Sequence, residues 1–222
     1  MANYMTCIRK EWYTMASRTG ILLMMTICSI FFYPLRAQSV TSGVSDTLSV
    51  DRIKMMNGEP VVMLTRLDEG VTDVTGIIFI AAPPKKVWDV LTDYNHQKNF
   101  IPNIIESGLI TDDGVEQVVS QTGKSKILIF QMKVSVTLKI RGDYLRSLDF
   151  QQISGDFKVY KGRWILEESP QGHGTLLYYK AEVKPNFFAP AFIVRSVQKH
   201  DFPAVLIALK TKAELSSQTV TK

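Results

Sequence analysis

The 222-residue chain has only two cysteines, Cys7 and Cys28. From residue 38 onward there is none, which excludes disulfides, thiolate metal sites and a cysteine nucleophile together in that part of the chain. Histidine is scarce as well: His96, His173 and His200 are the full set. None of them pairs at i, i+4 or stands beside a carboxylate cluster, so the spacing offers no metal centre. Neither G-x-S-x-G nor a phosphate-cradling loop nor a dinucleotide fingerprint is present. A long apolar run is missing too. The longest, Ile21 to Leu35, falls short of the roughly 20 residues a spanning helix needs, and Pro34 interrupts it. Finally, the chain lacks a strong charge of one sign. Its net charge is +5, and residues 1–37, with four basic side chains against one acidic, supply +3 of that. The remaining +2 makes no case for nucleic acid.

What is there begins with the N-terminal segment. Arg18 precedes the apolar run, and the small residues Ala37 and Ser39 follow it. A basic end, an apolar centre and a small residue at the cut are the layout of a secretory signal peptide. The expected organisation is a leader over 1–37, cut after Ala37, with a start at Met15 as a shorter variant. A Ser/Thr-rich linker and N-terminal extension over 38–60 follows, then a folded domain over 61–216 and a polar tail over 217–222. Export to the periplasm or beyond the cell is the expected location. Leu35, at the third position before the cut, is larger than usual there, so an uncleaved membrane anchor stands as the alternative.

Strand signals dominate the rest. Val61–Leu67 and Val74–Ala81 read as a hairpin. Pro83 and Pro84 then open a helix, where a fixed φ suits the first turn. Val87, Trp88 and Leu91 give that helix its apolar face, and a second short turn, Gln97–Ile101, closes at Pro102. Ile104–Ile110 and Glu116–Gln121 flank the turn signal Asp112-Asp113-Gly114. From Ile127 to Arg141 the pattern has strict period two: Leu128, Phe130, Met132, Val134, Val136, Leu138 and Ile140 alternate with Gln131, Lys133, Ser135, Thr137, Lys139 and Arg141. One face is expected inside and one wet. Leu145–Ile153, Phe157–Glu167 and Thr175–Val183 complete the strands, with Leu177, Tyr179, Ala181 and Val183 as the inner set of the last. A long helix is expected from Pro190 to Leu215, with Phe192, Val197, Val205, Leu209 and Ala213 as its stripe, kinked or interrupted at Pro203.

The segment VWDVLTDY…FIPNIIES, together with GDFKVYKGRWIL, GTLLYYKAEVKP and LKTKAEL, resembles the START-like superfamily, also called Bet v 1-like or SRPBCC. Within it, the chain is most similar to the polyketide-cyclase and coenzyme-Q-binding branch, over about Val74 to Leu215. The resemblance implies an α+β helix-grip fold: a curved antiparallel β-sheet wrapped around a long C-terminal helix, with two short helices after the first strand. It also implies a hydrophobic cavity between sheet and helix, and a small hydrophobic guest such as a lipid, quinone or polyketide-like molecule. No cofactor and no metal are expected.

Candidate cavity residues are Trp88, Tyr94, Phe100, Phe130, Met132, Val134, Tyr160, Trp164, Tyr179, Ala181, Phe187, Phe188, Phe192, Val205 and Leu209. Simple core packing would use the same residue types, and that reading stays open beside the cavity. Phe187, Phe188 and Phe192 lie where related folds have a portal. Asp93, Tyr94 and His96 could form an acid–base group, although exposed turn histidines explain the same letters. Lys133, Lys139, Arg141, Lys158, Lys161 and Arg163 mark a basic face that is either merely solvated or drawn to anionic lipid headgroups.

Binding without catalysis is favoured over a cyclase or dehydratase, because the inward positions of the long strand carry no polar group; no residue is assigned a catalytic role. The expected form is a monomer that binds no nucleic acid. Intact-mass analysis of protein from its native source is expected to show a chain starting near Gln38. A product retaining Ile21–Leu35 would favour the anchored form.

Overall fold

The computed structural model describes residue 54 and residues 57–127, 130–169, 172–187 and 196–218, with side chains at 125–127, 130–132, 197, 198 and 218 outside the description. An N-terminal hairpin joins β1 (Val61–Arg66) to β2 (Thr72–Ile80). Helix α1 (Pro84–Thr92) and a 3₁₀ turn (Gln97–Asn99) follow. Then come β3 (Ile104–Asp112), β4 (Gln117–Ile127), β5 (Phe130–Asp143), β6 (Ser147–Gly155), β7 (Phe157–Glu168) and β8 (Thr175–Pro185). A π-helical turn (Val197–Asp201) leads into the C-terminal helix α2 (Phe202–Gln218).

All eight strands form one antiparallel sheet in the order β1-β2-β8-β7-β6-β5-β4-β3. β3 follows β2 in sequence yet lies at the far edge. The segment between them, carrying α1 and the 3₁₀ turn, must cross the open side of the sheet. Register shifts in β3–β4, β5–β6 and β7–β8 add bend and twist to the strands. Gly162 of β7 allows the closest approach. A Cβ there would lie 2.3 Å from the Lys180 carbonyl oxygen and 2.7 Å from the Phe150 ring. The result is a curved open sheet gripping α2, the helix-grip arrangement.

Local chemistry explains the elements. Pro83 caps α1 and Pro84 begins it, where the missing N–H has no intrahelical partner to lose. The buried face of α1 is Val87, Val90 and Leu91, spaced i, i+3, i+4. Trp88 flanks that face, partly buried and packed against the same core. Its ring lies over Gly142 and meets Tyr144 edge-on at 5.4 Å. The stretch expected as one strand from Ile127 to Arg141 is divided. Ile127 ends β4 and pairs with Phe130 of β5, so the chain reverses between them. On β5 the alternation holds where side chains are described: Val136, Leu138 and Ile140 are buried and Lys133 is exposed. Leu128 lies outside the described residues.

α2 continues the π-helical turn Val197–Asp201 without a break, so Pro203 stands at the junction of the two, where a residue without an N–H interrupts the α-helical bonding pattern as expected. The helix is clamped to β2. Gly76 leaves room for Phe202, whose ring would stand 2.5 Å from any Cβ added at that position. At the strand's end, Glu214 Oε1 accepts a hydrogen bond from the Ala81 amide at 2.8 Å. Lys210 Nζ donates to the Phe79 carbonyl at 3.3 Å and pairs with Glu214. The helix buries Leu206, Leu209 and Ala213 completely or nearly so. Leu206 was not part of the sequence stripe, which ran through Val205 instead.

Leu206 is 0% exposed and its neighbour Ile207 47% exposed. Leu206→Ala is therefore expected to cost about 2–5 kcal/mol in urea denaturation. Ile207→Ala should stay within about 1 kcal/mol of the parent. Equal costs at the two positions would mean the helix is rotated from this placement.

Candidate ligand cavity

Between the inner face of the sheet and α2 lies a cavity of about 200 Å³. Four strands supply its wall: Leu138 and Ile140 from β5, Leu148 and Phe150 from β6, Tyr160 and Trp164 from β7, and Tyr179 from β8. Phe202, Val205 and Leu209 of α2 form the opposite side. Leu91, Tyr94, Gln97 and Ile101 come from α1 and the turn after it, with Ile104 and Gln121 from the far edge of the sheet. Each strand contributes alternate residues because inward side chains recur every second position.

Tyr179 is the hub of the aromatic wall. Its ring lies 4.6 Å from Trp164, 4.7 Å from Phe202 and 5.8 Å from Phe150, measured between centroids. Such rings supply large apolar area with few rotatable bonds. Two polar groups interrupt it, separated across the sheet by β5 and β6. In the first, the Tyr179 hydroxyl donates to the Tyr160 hydroxyl at 3.4 Å. In the second, Gln97 Nε2 donates to the Leu91 carbonyl at 3.0 Å while Gln97 Oε1 accepts from Gln121. Beside it, Tyr94 donates to Gln117 Oε1 at 3.1 Å.

The cavity's electrostatics are those of an uncharged space. Among the described residues that line it there is no Asp, Glu, Lys, Arg, His or Cys. Burial pushes the Tyr160 and Tyr179 hydroxyls above the ordinary tyrosine range. Burial, then the Asp112 charge, does the same at Tyr94. All three are neutral hydroxyls at physiological pH.

Six of the residues singled out in the sequence line this space: Tyr94, Tyr160, Trp164, Tyr179, Val205 and Leu209. Five do not. Trp88 is engaged by Tyr144. Phe100 lies under Lys212, 5.8 Å from its Nζ. Val134 is half-buried toward the end of β5 that pairs with Gly123. Ala181 is buried opposite Gly162, and the hollow it borders is the charged one on the outer face of the sheet. Phe187 packs on Phe157, centroids 6.4 Å apart. The side chains of Phe130 and Met132, and all of Phe188 and Phe192, lie outside the described residues.

Sequence reasoning missed Gln97, Gln121, Phe150 and Phe202. Gln121 was visible in principle, two residues after the buried Val119 on the same inward set. Phe202 stands at i−4 from Leu206, one helical turn away.

The suspected acid–base group divides. His96 Nδ1 and Asp93 Oδ1 meet at 2.6 Å, but the His96 side chain is 65% exposed and neither residue lines the cavity. Tyr94 points the other way, into the wall. His173 and His200 are exposed. Among the described residues no cluster of three metal-ligating side chains occurs. Nor is any described helix long and apolar enough to cross a membrane.

The outer face of the sheet is charged but compensated. Lys139 bonds Glu116 at 2.9 Å, and Arg141 shares that carboxylate. Lys161 pairs with Glu182 at 3.0 Å, and Arg163 Nη2 with Asp149 at 2.9 Å. Four of the six basic residues read from the sequence thus have acidic partners, which weakens any pull on anionic headgroups.

The family model for polyketide cyclase/dehydrase and lipid transport proteins matches residues 80–210. No curated protein matches the chain as a relative. Similar solved structures include the Zhui aromatase/cyclase from Streptomyces sp. R1128, at 17% identity and TM-score 0.58, covering 68% of this chain and 98% of that one. A protein from Thermus thermophilus aligns at 20% identity and TM-score 0.55, covering 65% and 99%. A STAR-related lipid transfer protein fragment from Xanthomonas axonopodis aligns at 15% identity and TM-score 0.52, covering 68% and 98%. At these identities the likeness is one of fold.

The raised hydroxyls of Tyr160 and Tyr179 make stability depend on alkaline pH. A tyrosine held neutral by the fold contributes fully below the unfolded value of about 10, and that contribution is lost as pH rises toward the folded value. Urea midpoints should therefore fall above about pH 10, and fall less in a Tyr160→Phe/Tyr179→Phe protein. An identical decline in both would mean that these hydroxyls are not desolvated.

Proposed function

We propose that this chain, which belongs to the polyketide cyclase/dehydrase and lipid transport family, is a non-catalytic carrier of a small hydrophobic ligand held in the internal cavity. Hydrophobic ligand binding is the common ground of the family. The carrier reading is supported by one observation: the described lining combines aromatic and aliphatic walls, and none of its side chains is a carboxylate, histidine, cysteine or lysine. Affinity would come mainly from apolar burial, at roughly 25 cal/mol per Å² removed from water. The guest class is the lipid, quinone or polyketide-like set, acting in the cell envelope. Export is supported by the leader pattern in residues 1–37. The carrier acts as a monomer.

The rival reading is a cyclase or dehydratase using the same space. Such an enzyme needs a general acid or base within hydrogen-bond reach of the guest. The pair that could serve, Asp93 and His96, faces solvent.

The two readings separate on substitution. Val205→Trp puts a large ring into the cavity wall and is expected to abolish binding of an uncharged apolar probe, once circular dichroism shows the protein folded. Asp93→Asn and His96→Gln should leave binding and biological activity within about twofold, since an exposed pair of this kind contributes little. Loss of activity with binding retained in the Asp93 or His96 variant would establish the enzyme reading. Unchanged binding in folded Val205→Trp protein would place the guest elsewhere.

A further inference from the structure

The outer face of the sheet holds a second hollow, of about 640 Å³. Phe150, Gly162 and Ala181 give it only a backbone floor, since the Phe150 and Ala181 side chains are buried on the inner face. Its walls are charged side chains in two cross-strand rows. In one row Asp149 of β6 stands between Arg141 of β5 and Arg163 of β7. The Asp149 carboxylate holds Arg163 through both oxygens. In the next row Gln151 of β6 stands between Lys139 and Lys161 in the same way. Here β6 offers an amide where the first row has a carboxylate. Gln151 is exposed, and among the described residues its side chain has no hydrogen-bond partner. A further cation, Lys180 of β8, lies directly opposite Arg163 and has no acidic partner among the described residues. Like charges facing across a strand pair destabilise a sheet, and breaches of such local rules gather at functional sites. The described lining carries five cations against three carboxylates, and Glu116 beside it makes four, so the hollow keeps a positive surplus.

We propose that the outer hollow binds a sugar phosphate, with the phosphate seated over Gln151 between Lys139 and Lys161. The fold places its own anion between the two arginines and leaves the equivalent position between the two lysines to an anion from outside. Each lysine uses one donor on an acidic partner, Glu116 or Glu182, and an ammonium has three. Their stems start about 10 Å apart, twice the strand spacing, and are flexible enough to close on one phosphate. Gln151 Nε2 donates from below, and Lys180 adds charge from β8. The rest of the lining sets the rest of the ligand. Asp73 and Glu182 offer carboxylates that accept from hydroxyls. No aromatic side chain stands on the described lining of this face, so a nucleobase would have nothing to stack on. The same carboxylates oppose an anionic membrane surface, which favours a free ligand over a lipid headgroup. The volume lies within the roughly 300–1,000 Å³ of small-molecule sites. This site is separate from the inner cavity and stands independently of the guest proposed there.

Calorimetric titration of the full chain with glucose 6-phosphate tests the site, with glucose and phosphatidylglycerol vesicles as comparison probes. Glucose 6-phosphate is expected to bind at least about tenfold more tightly than glucose, the effect of one charge-assisted hydrogen bond. Gln151→Glu supplies the missing carboxylate from within the chain. It should weaken glucose 6-phosphate binding at least about tenfold. Its urea midpoint should equal or exceed the parent's, because opposite charges then meet across both strand pairs. Lys161→Gln should weaken binding by a similar factor, whereas Val205→Trp, in the inner cavity, should leave it within about twofold. Binding that survives Gln151→Glu, or that falls equally in Val205→Trp protein, overturns the site. So does glucose binding as tightly as its phosphate, binding confined to the vesicles, or no binding of glucose 6-phosphate at all.

Discussion

The contact on which the rest depends is the seat of α2 on β2. Gly76 opens a flat place on the strand, Phe202 fills it, and Leu206 completes the contact one turn along. At the other end, Glu214 and Lys210 bind the backbone of residues 79 and 81, which would otherwise present unpaired groups at the end of the strand. The helix is therefore fixed to one side of a curved sheet. The remaining strands, β4 to β7, bend over it without collapsing onto it, because α1 and the turn after it brace the far side through Gln97 and Gln121. A hollow is the geometric consequence of holding a helix at one edge of a sheet that curves away from it.

That origin explains the chemistry of the hollow. Its walls are the inward halves of amphipathic strands, and so are apolar by the same alternation that makes the outer face charged. Outer charges meet across neighbouring strands as pairs, Lys161 with Glu182 and Arg163 with Asp149. Inner polar groups are few and neutral, so the space binds by shape and apolar contact, with hydroxyl and amide groups giving orientation.

Much of the fold was legible because period-two alternation, proline at the start of a helix and turn residues are local signals. Strand boundaries came within a few residues, and the helix after Pro83 and Pro84 was placed correctly. The division between β4 and β5 was not legible, since the sequence from Ile127 to Phe130 carries no Gly, Asn or Asp to mark it. Nor was the distinction between core and cavity. Trp88 and Trp164 read alike as aromatic residues on amphipathic elements; only tertiary placement puts Tyr144 on the first and empty space before the second. Ala181 illustrates the same limit, as its buried position was legible but which hollow it borders was not. Polar lining residues such as Gln97 and Gln121 escaped because a buried amide has no signature in a single sequence.

The central claim is that the cavity is built to be occupied by an uncharged apolar molecule. Mass spectrometry of organic extracts from protein purified out of its native source addresses it most directly. The account predicts one uncharged compound, or a narrow group of them, released in near-stoichiometric amount and absent from Val205→Trp protein prepared alongside. An extract with no hydrophobic compound above the level of a control protein, or one yielding the same compounds from the Val205→Trp protein, would contradict it.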